Sequence, residues 1–361
     1  MKGETVMQHT STRIPAIDVA KGIGIVCIVS GHVIPNFFVY SLLYAFHVPL
    51  FFVLSGLTYH FKADKRLFWL DKIRRILVPY AVFSLLSIVV YRLGAPLLHT
   101  PAEQTRLLPN LLGMLYANTN TGWMAWNRPL WFLPCLFAVL MLVDLFETQL
   151  RRMGLRHTQF LRCCFIAASL ALGALLNTIP GLNLPFQLES AVLLATFAEL
   201  GVMLQHANKQ HDLIKKVSAF PAGRLSICML LLALVSLGVS RFNGHIDVRA
   251  HILGKSTLLM FMAACGFIAV ILALSVRLQS CRWLRQAGVS SLSILLMHKF
   301  PILLFQVLLP FTGRLLSAWD TLPGFLCGIL VAGATLWLCL LAEKVLTALC
   351  PAVLGKRKTL S

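Results

Sequence analysis

Long apolar segments separated by short polar loops run along nearly the whole chain. Each apolar segment is close to the ~20 residues that an α-helix needs to cross a bilayer. The pattern therefore predicts an all-α integral membrane protein with about ten transmembrane helices. The ten predicted spans are 15–35, 39–60, 76–93, 130–147, 163–179, 189–206, 224–240, 256–276, 289–309 and 323–346.

Short polar segments flank this apolar region and suggest the domain organisation. We expect residues 1–13 to form a cytosolic tail, residues 14–347 a single polytopic membrane domain, and residues 348–361 a basic cytosolic C-terminal tail. The first apolar segment is long and lacks a small-x-small cleavage site, so we expect it to be retained as the first helix rather than removed as a signal peptide.

Composition and charge agree with a membrane protein. The chain is 58% hydrophobic and only 12% charged, whereas soluble domains are about 25% charged. The net charge of +19 does not indicate nucleic acid, because the basic residues fall in short loops between spans. Of 32 Lys and Arg, 23 lie on the side of the two termini and 7 on the opposite side. This asymmetry predicts that both termini are cytoplasmic.

Among the polar residues within the first two apolar spans are Asp18, Lys21, His32, His47 and Ser55. Titratable groups in a bilayer core are costly unless they are paired or face a cavity, so they mark a candidate site. Asp18 and Lys21 are three residues apart on one helix and can pair. Lys21 and His32 are eleven residues apart, which puts them on one face of that helix with a separation of roughly 16 Å.

The motifs that contain these residues resemble a known family. IDVAKGIGIVCIVSGH and FHVPLFFVLSG in the first sixty residues, RPLWFLPCLF at 128–137 and SLSILLMH at 291–298 are similar to motifs of acyltransferase family 3. The resemblance covers nearly the whole chain. Within the family, the motif sequences resemble those of the branch named for fucose 4-O-acetylase. It implies a membrane O-acyltransferase, typically an O-acetyltransferase of bacterial surface sugars, located in the inner membrane. The implied partners are an acyl-CoA donor such as acetyl-CoA and a sugar, polysaccharide or lipid-linked glycan acceptor.

One position departs from the family pattern. Many members carry Arg eleven positions before the histidine (R-x10-H), where this chain has Lys21 in a K-x10-H arrangement with His32. A point charge thus replaces the planar, bidentate fork of a guanidinium. Recognition of phosphate or carboxylate at this position should therefore differ from that of the family.

Three histidines are candidates for acyl transfer, because imidazole can take a proton from a hydroxyl near neutral pH. We assign His32 as general base, with a transient acyl carrier as the alternative. His47 is the second catalytic candidate, and His298 a supporting residue. For each of them the alternative is a hydrogen-bonded residue that holds helices together. Pro49, two residues after His47, predicts a kink within the second span.

The other candidates in the first two spans are supporting residues. Ser55 lies eight residues after His47 on roughly the same face, but no GxSxG elbow surrounds it. We therefore expect helix packing or a hydrogen bond to the donor rather than a nucleophile. Asp18 and Lys21 either line the entry of the donor or form an interfacial ion pair with Lys21 extended toward water.

Basic residues at the two membrane surfaces are candidates for substrate binding. Arg74 and Arg75, in the basic loop 62–75, are predicted to bind the phosphates of acyl-CoA. The alternative is a topological or lipid-binding role. On the outer side we expect Arg128 and Trp131 to bind the acceptor, with an aromatic anchor at the interface as the alternative for Trp131.

Two other functional classes remain open on residues alone. A transporter or flippase for a polar or lipid-linked solute would also place titratable groups and a broken helix in the membrane. A membrane scaffold or sensor is the third, although the titratable groups along one helix face argue against it. The ten cysteines lack metal-ligand spacing, so no metal and no bound cofactor is predicted. The sequence leaves the acceptor, the acyl group and the oligomeric state open.

Overall fold

The structure is a computed structural model that describes residues 13–34, 37–98, 105–123, 127–154, 157–318 and 321–356. Most of the predicted N-terminal tail (1–12) and the end of the predicted C-terminal tail (357–361) lie outside the described residues.

Helices account for most of the described chain, and no β-strand occurs within it; the single β-bridge joins Asp247 and Ile252. The all-α class is therefore confirmed. The helices are α1 (Pro15–Val33), α2 (Phe37–Tyr44), α3 (His47–Leu57), α4 (Lys65–Lys72), α5 (Val78–Leu93), α6 (Ala95–Leu98), α7 (Leu107–Tyr116), α8 (Phe132–Met153), α9 (Thr158–Thr178), α10 (Leu188–His211), α11 (Leu213–Ala219), α12 (Ala222–Asn243), α13 (Thr257–Arg277), α14 (Arg282–Val289), α15 (Ser291–Met297), α16 (Lys299–Leu308), α17 (Pro310–Ser317) and α18 (Leu322–Leu349).

Among the described residues, eight helices are long and apolar enough to cross a membrane, or nine if the bent pair α15 and α16 forms one span. A tenth span and the cytoplasmic position of the termini stay predictions. Within the predicted span 39–60, α2 and α3 are separated by a break at Ala45 and Phe46. Pro49 lies in the first turn of α3 rather than inside a continuous helix, a position where its missing N–H is tolerated.

Helix α1 is packed within the bundle, as are the spans that contain α8 and α10, which are more buried still. More than half of the apolar segment of α1 is buried, compared with 11% of the apolar segment of α12. It packs against α3, α13, α14 and α18. The contact with α14 is close because each helix presents a glycine to the backbone of the other. A Cβ on Gly22 would collide with the carbonyl oxygen of Leu284, and one on Gly288 with that of Asp18.

Candidate active site

A cavity of about 460 Å³ lies beside the end of α1 that carries His32. Four predicted site residues from three separate parts of the sequence line it together. They are His32, His47, Arg128 and Trp131. His47 enters the cavity wall at the break between α2 and α3. A 3-10 turn, Arg128–Trp131, places its first and last residues in the same wall. Trp131 is 6% exposed, so its ring faces this cavity and the core rather than the surrounding lipid.

The ring of His298 stacks on the ring of His32, with centroids 5.2 Å apart and planes inclined by 28°. His298 lies at the 42° bend between α15 and α16 and is fully buried. Its Nδ1 lies 2.9 Å from the carbonyl oxygen of Leu295, which can only accept a hydrogen bond. The proton of the neutral ring is therefore on Nδ1. The buried Nε2 of His298 has no hydrogen-bond partner among the described residues.

His47 is also fixed by a backbone carbonyl. Its Nδ1 donates to the oxygen of Leu43 over 2.6 Å, and its ring meets the edge of Tyr44 at 4.6 Å between centroids. Nδ1 donates, so Nε2 of the neutral ring is the nitrogen that can accept a proton. The carbonyl of Leu43 is within reach because α2 ends just before His47. The helix break thus sets the tautomer of a cavity histidine.

The remaining polar wall of the cavity comes from residues that the sequence reasoning missed. Asp247 and Arg249, in the loop between α12 and α13, form an ion pair of 3.0 Å. Lys299, the first residue of α16, also lines the cavity. A signal existed for Lys299, since it is a charged residue inside a predicted span. Asp247 and Arg249 lie in an unremarkable polar loop, and only the tertiary fold brings them to His32.

A second cavity of about 230 Å³ lies nearer the other end of α1. Three predicted residues line it: Lys21, Ser55 and Arg75. Lys72, which the sequence reasoning did not select, adds a further cation. Arg75 and Lys72 lie at a π-helical turn, Ile73–Leu77, where α4 continues into α5. This second cavity is therefore basic and lies at the end of the bundle opposite His32.

The two cavities share walls. Ile28, Phe132 and Leu295 line both of them. Ile28 lies on α1 between Lys21 and His32, so the shared section is apolar and the two ends are polar. Together the two cavities lie along the face of α1 on which the sequence spacing placed Lys21 and His32. We refer to them below as the inner cavity, which contains Lys21, and the outer cavity, which contains His32.

Four predicted residues have protein partners that bear on their suggested roles. Arg75 lines the inner cavity but is exposed, and its Nε donates to Asp71 at 2.8 Å. Asp18 pairs with Arg13 at 2.8 Å and lines neither cavity, so the suggested pair with Lys21 is replaced by one with Arg13. Arg74 donates to the backbone oxygen of Lys356 and does not line the inner cavity. Ser55 lines the inner cavity, but its hydroxyl donates to the carbonyl of Phe51 at 2.8 Å.

An ionic cluster lies outside both cavities. The guanidinium of Arg162 donates to both carboxylate oxygens of Glu147, at 2.8 and 2.9 Å. Its Nε is also 3.2 Å from Glu199, an acid for which the sequence offered no partner. All three side chains are buried. The cluster joins α8, α9 and α10.

One comparison with known proteins gives a match. A family model described as an acyltransferase domain, the acyltransferase 3 model, matches residues 14–343. The matched range includes all ten predicted site residues and both cavities. No curated protein and no solved structure matches the chain.

Proposed function

Because this chain belongs to the acyltransferase 3 family, whose members are membrane acyltransferases, we propose that it is an acyl-CoA-dependent O-acyltransferase. In this proposal it moves an acyl group, acetyl in the first instance, from cytosolic acyl-CoA to a hydroxyl of a cell-surface sugar or glycan. One observation carries the proposal: the inner and outer cavities lie along one helix and share Ile28, Phe132 and Leu295. The donor and the acceptor can thus approach one reaction centre from opposite sides.

The basic inner cavity suits the donor. Coenzyme A carries phosphates at one end and a long thioester-bearing arm at the other. Lys21, Lys72 and Arg75 supply cationic donors for phosphate oxygens. The arm then enters the apolar section that leads toward His32. The eleven residues from Lys21 to His32 correspond to roughly 16 Å, a distance that an extended arm can bridge.

The outer cavity suits the chemical step. An imidazole nitrogen of His32 takes the proton of the acceptor hydroxyl, and the oxygen attacks the thioester carbonyl. The carbon–sulfur bond breaks, the acyl group forms an ester with the acceptor, and the departing thiolate receives the proton. His298, stacked on His32, holds its ring in place. His47, with Nε2 available as acceptor, is the second group that can take a proton there.

Two residues of the outer cavity suit a sugar. Trp131 is buried and lines the cavity, so its ring can stack on a sugar face. Arg128 lies in the same 3-10 turn and offers several N–H donors to hydroxyl or acidic groups. The charge asymmetry of the loops supports an outer cavity that faces away from the cytoplasm. In a bacterium this arrangement corresponds to the inner membrane.

The test is transfer of radiolabel from acetyl-CoA into envelope glycan by membranes that contain the wild-type protein, His32→Ala or His60→Ala. His60 is an exposed histidine between α3 and α4 and lines neither cavity. We expect label with wild type and His60→Ala and none with His32→Ala at equal expression. Full activity of His32→Ala would refute its role as base. If purified wild-type protein neither binds nor consumes acetyl-CoA, the acyltransferase proposal fails and the transporter class is favoured.

A further inference from the structure

The last described residues pack against the π-helical turn that carries Arg75. After α18 the chain forms a 3-10 turn, Pro351–Leu354, and continues to Lys356. We call residues 351–356 the C-terminal strap. Leu354 is 3% exposed, and the 3-10 turn contacts both α5 and α18. The strap is therefore a packed part of the helical bundle, next to a wall of the inner cavity.

The backbone of Gly355 lies directly against the backbone of the π turn. Its φ of +66° is in the left-handed region, which a residue with a side chain adopts only at a cost. A Cβ at this position would lie 2.8 Å from Cα of Arg75 and 2.9 Å from the carbonyl oxygen of Arg74. Neither atom belongs to a flexible side chain, so neither can move aside. The strap thus holds the backbone of the residue whose side chain lines the inner cavity.

A buried carboxylate anchors the strap. Nζ of Lys356 donates to Oε1 of Glu343 at 2.8 Å and to the hydroxyl of Thr347 at 3.0 Å. Glu343 is 5% exposed, and its Oε1 also accepts from the hydroxyl of Ser293 on α15 at 3.0 Å. A buried carboxylate needs such donors, because an unpaired one is costly. This interaction fixes the strap relative to both α15 and α18.

The strap joins two walls of the inner cavity. One wall is α15, where Ser291 and Leu292 line the cavity and precede the anchoring Ser293. The other is the end of α4 with the π turn, which supplies Lys72, half-buried, and Arg75, exposed. π-Helical turns are rare and occur frequently at functional sites. The segment that packs on this turn is thus connected through the buried carboxylate to the other wall.

The strap also distinguishes the two arginines of the turn. Arg74 donates from Nη2 to the backbone oxygen of Lys356 at 3.1 Å. Arg75 lines the inner cavity, and its Nε donates to Asp71 at 2.8 Å. A guanidinium has five N–H donors, so this contact leaves others for a ligand. The position of the strap therefore determines which of the two arginines is available to the cavity.

On the basis of the proposed function, we infer that the C-terminal strap is a positioning element of the donor site, in which Gly355 and Lys356 are the positioning residues. Neither of them lines the inner cavity, so they act on acyl-CoA through Lys72 and Arg75. The ion pair with Glu343 holds the strap, the strap holds the π turn, and the turn places the two cations. Without the strap the cations remain but no longer converge on the same phosphate oxygens, and charge-assisted contacts depend on that geometry.

The experiment titrates acetyl-CoA in the radiolabel transfer assay, with membranes that contain the full-length protein. We expect Lys356→Met to raise the KM for acetyl-CoA about three- to tenfold, the value of one charged contact to phosphate. The kcat should change little, because the strap acts on the donor cavity and not on His32. Lys356→Arg retains the cation and should stay close to the wild-type KM. Lys344→Met is the matched control and should leave the KM unchanged, because Lys344 is exposed on α18 directly after Glu343 and lines neither cavity.

Two further variants test the contact with the turn and the route of the effect. Gly355→Ala places a Cβ against the backbone of Arg75 and should also raise the KM for acetyl-CoA. Gly154→Ala is its control, since Gly154 has a similar φ of +58° but its Cβ would meet no atom within 4 Å. Because the strap acts in part through Arg75, Lys356→Met should raise the KM less in an Arg75→Ala background than in the wild type.

The outcomes separate this inference from the proposed function. A normal KM in Lys356→Met and Gly355→Ala would overturn the positioning role and leave the acyltransferase intact, even if the yield of folded protein or kcat fell, since that would show a merely structural strap. Equal effects of the control variants, or an undiminished effect of Lys356→Met in the Arg75→Ala background, would also overturn it. No transfer and no binding of acetyl-CoA by the wild-type protein would contradict the proposed function itself.

Discussion

His32 and His298 face each other as stacked rings, 5.2 Å apart between centroids, although 266 positions separate them in the chain. His32 comes from α1 and His298 from the bend between α15 and α16. The second ring has its Nδ1 held by Leu295 and its Nε2 buried without a partner among the described residues. The pair therefore combines a histidine that lines the outer cavity with a second, fully buried histidine that stacks on it.

Removing the stacked ring should reduce turnover. We expect His298→Ala to lower kcat for acyl transfer by about 10- to 100-fold, because a misoriented base loses much of its effect. The KM for acetyl-CoA should not change, since His298 lines neither cavity. His298→Phe keeps an aromatic ring in the stack and should recover part of kcat. Wild-type kcat in His298→Ala would contradict a positioning role.

The sequence was sufficient to predict the all-α fold class and the placement of Lys21 and His32 on one face of the first helix. The periodicity of titratable residues on one helix placed Lys21 and His32 on one face, and in the structure Lys21 lines the inner cavity and His32 the outer cavity. Asp247 and Arg249 could not be predicted, because their approach to His32 depends on how the loop after α12 folds over the bundle. The break before His47 was missed for a related reason: an apolar run gives no sign of where its backbone is interrupted.

Arg74 and Arg75 illustrate the same limit at shorter range. The sequence selected both as one basic pair, yet their side chains diverge: Arg75 lines the inner cavity and Arg74 binds the backbone of Lys356. Neighbouring residues in a helical turn point in different directions, and the pattern of charges does not say which one faces the cavity. Packing of the C-terminal segment decides it.

This divergence gives a prediction about the donor. We expect Arg75→Ala to raise the KM for acetyl-CoA about three- to tenfold, the value of one exposed charged contact to phosphate. Arg74→Ala should leave that KM unchanged. The effect of Arg75→Ala should shrink at high salt, because the interaction is screened. Equal effects of the two substitutions would count against the inner cavity as the donor site.

Lys21→Arg tests the departure from the family pattern. A guanidinium in place of the ammonium restores the bidentate fork, and Lys21 lines the inner cavity. We expect Lys21→Arg to retain activity and Lys21→Ala to raise the KM for acetyl-CoA by about tenfold. Titration of acetyl-CoA in the transfer assay gives both values. An unchanged KM in Lys21→Ala would remove Lys21 from the donor path and leave it as an interfacial charge.

The contact between α1 and α14 should depend on the absence of side chains. Gly288→Ala places a Cβ against the carbonyl of Asp18, and we expect a loss of about 1–3 kcal/mol in unfolding free energy. Gly238→Ala is the control, since a Cβ at this position in α12 meets no atom within 4 Å. It should be neutral or slightly stabilising, because Ala favours a helix over Gly. Thermal unfolding of the two variants in detergent measures the difference.

In the cluster of Arg162, Glu147 and Glu199, removal of the cation and removal of one acid should have different effects on protein stability. Arg162→Met leaves two buried carboxylates without a counter-charge, and we expect a loss of about 3–5 kcal/mol in stability. Glu199→Gln keeps the shape and removes one of two acids that compete for one guanidinium, while the bidentate contact to Glu147 remains. This variant should therefore be near wild type in stability. Chemical unfolding in micelles, with acyl transfer as a second readout, tests both. A strongly destabilised Glu199→Gln would mean that the single contact to Arg162 matters more than the geometry indicates.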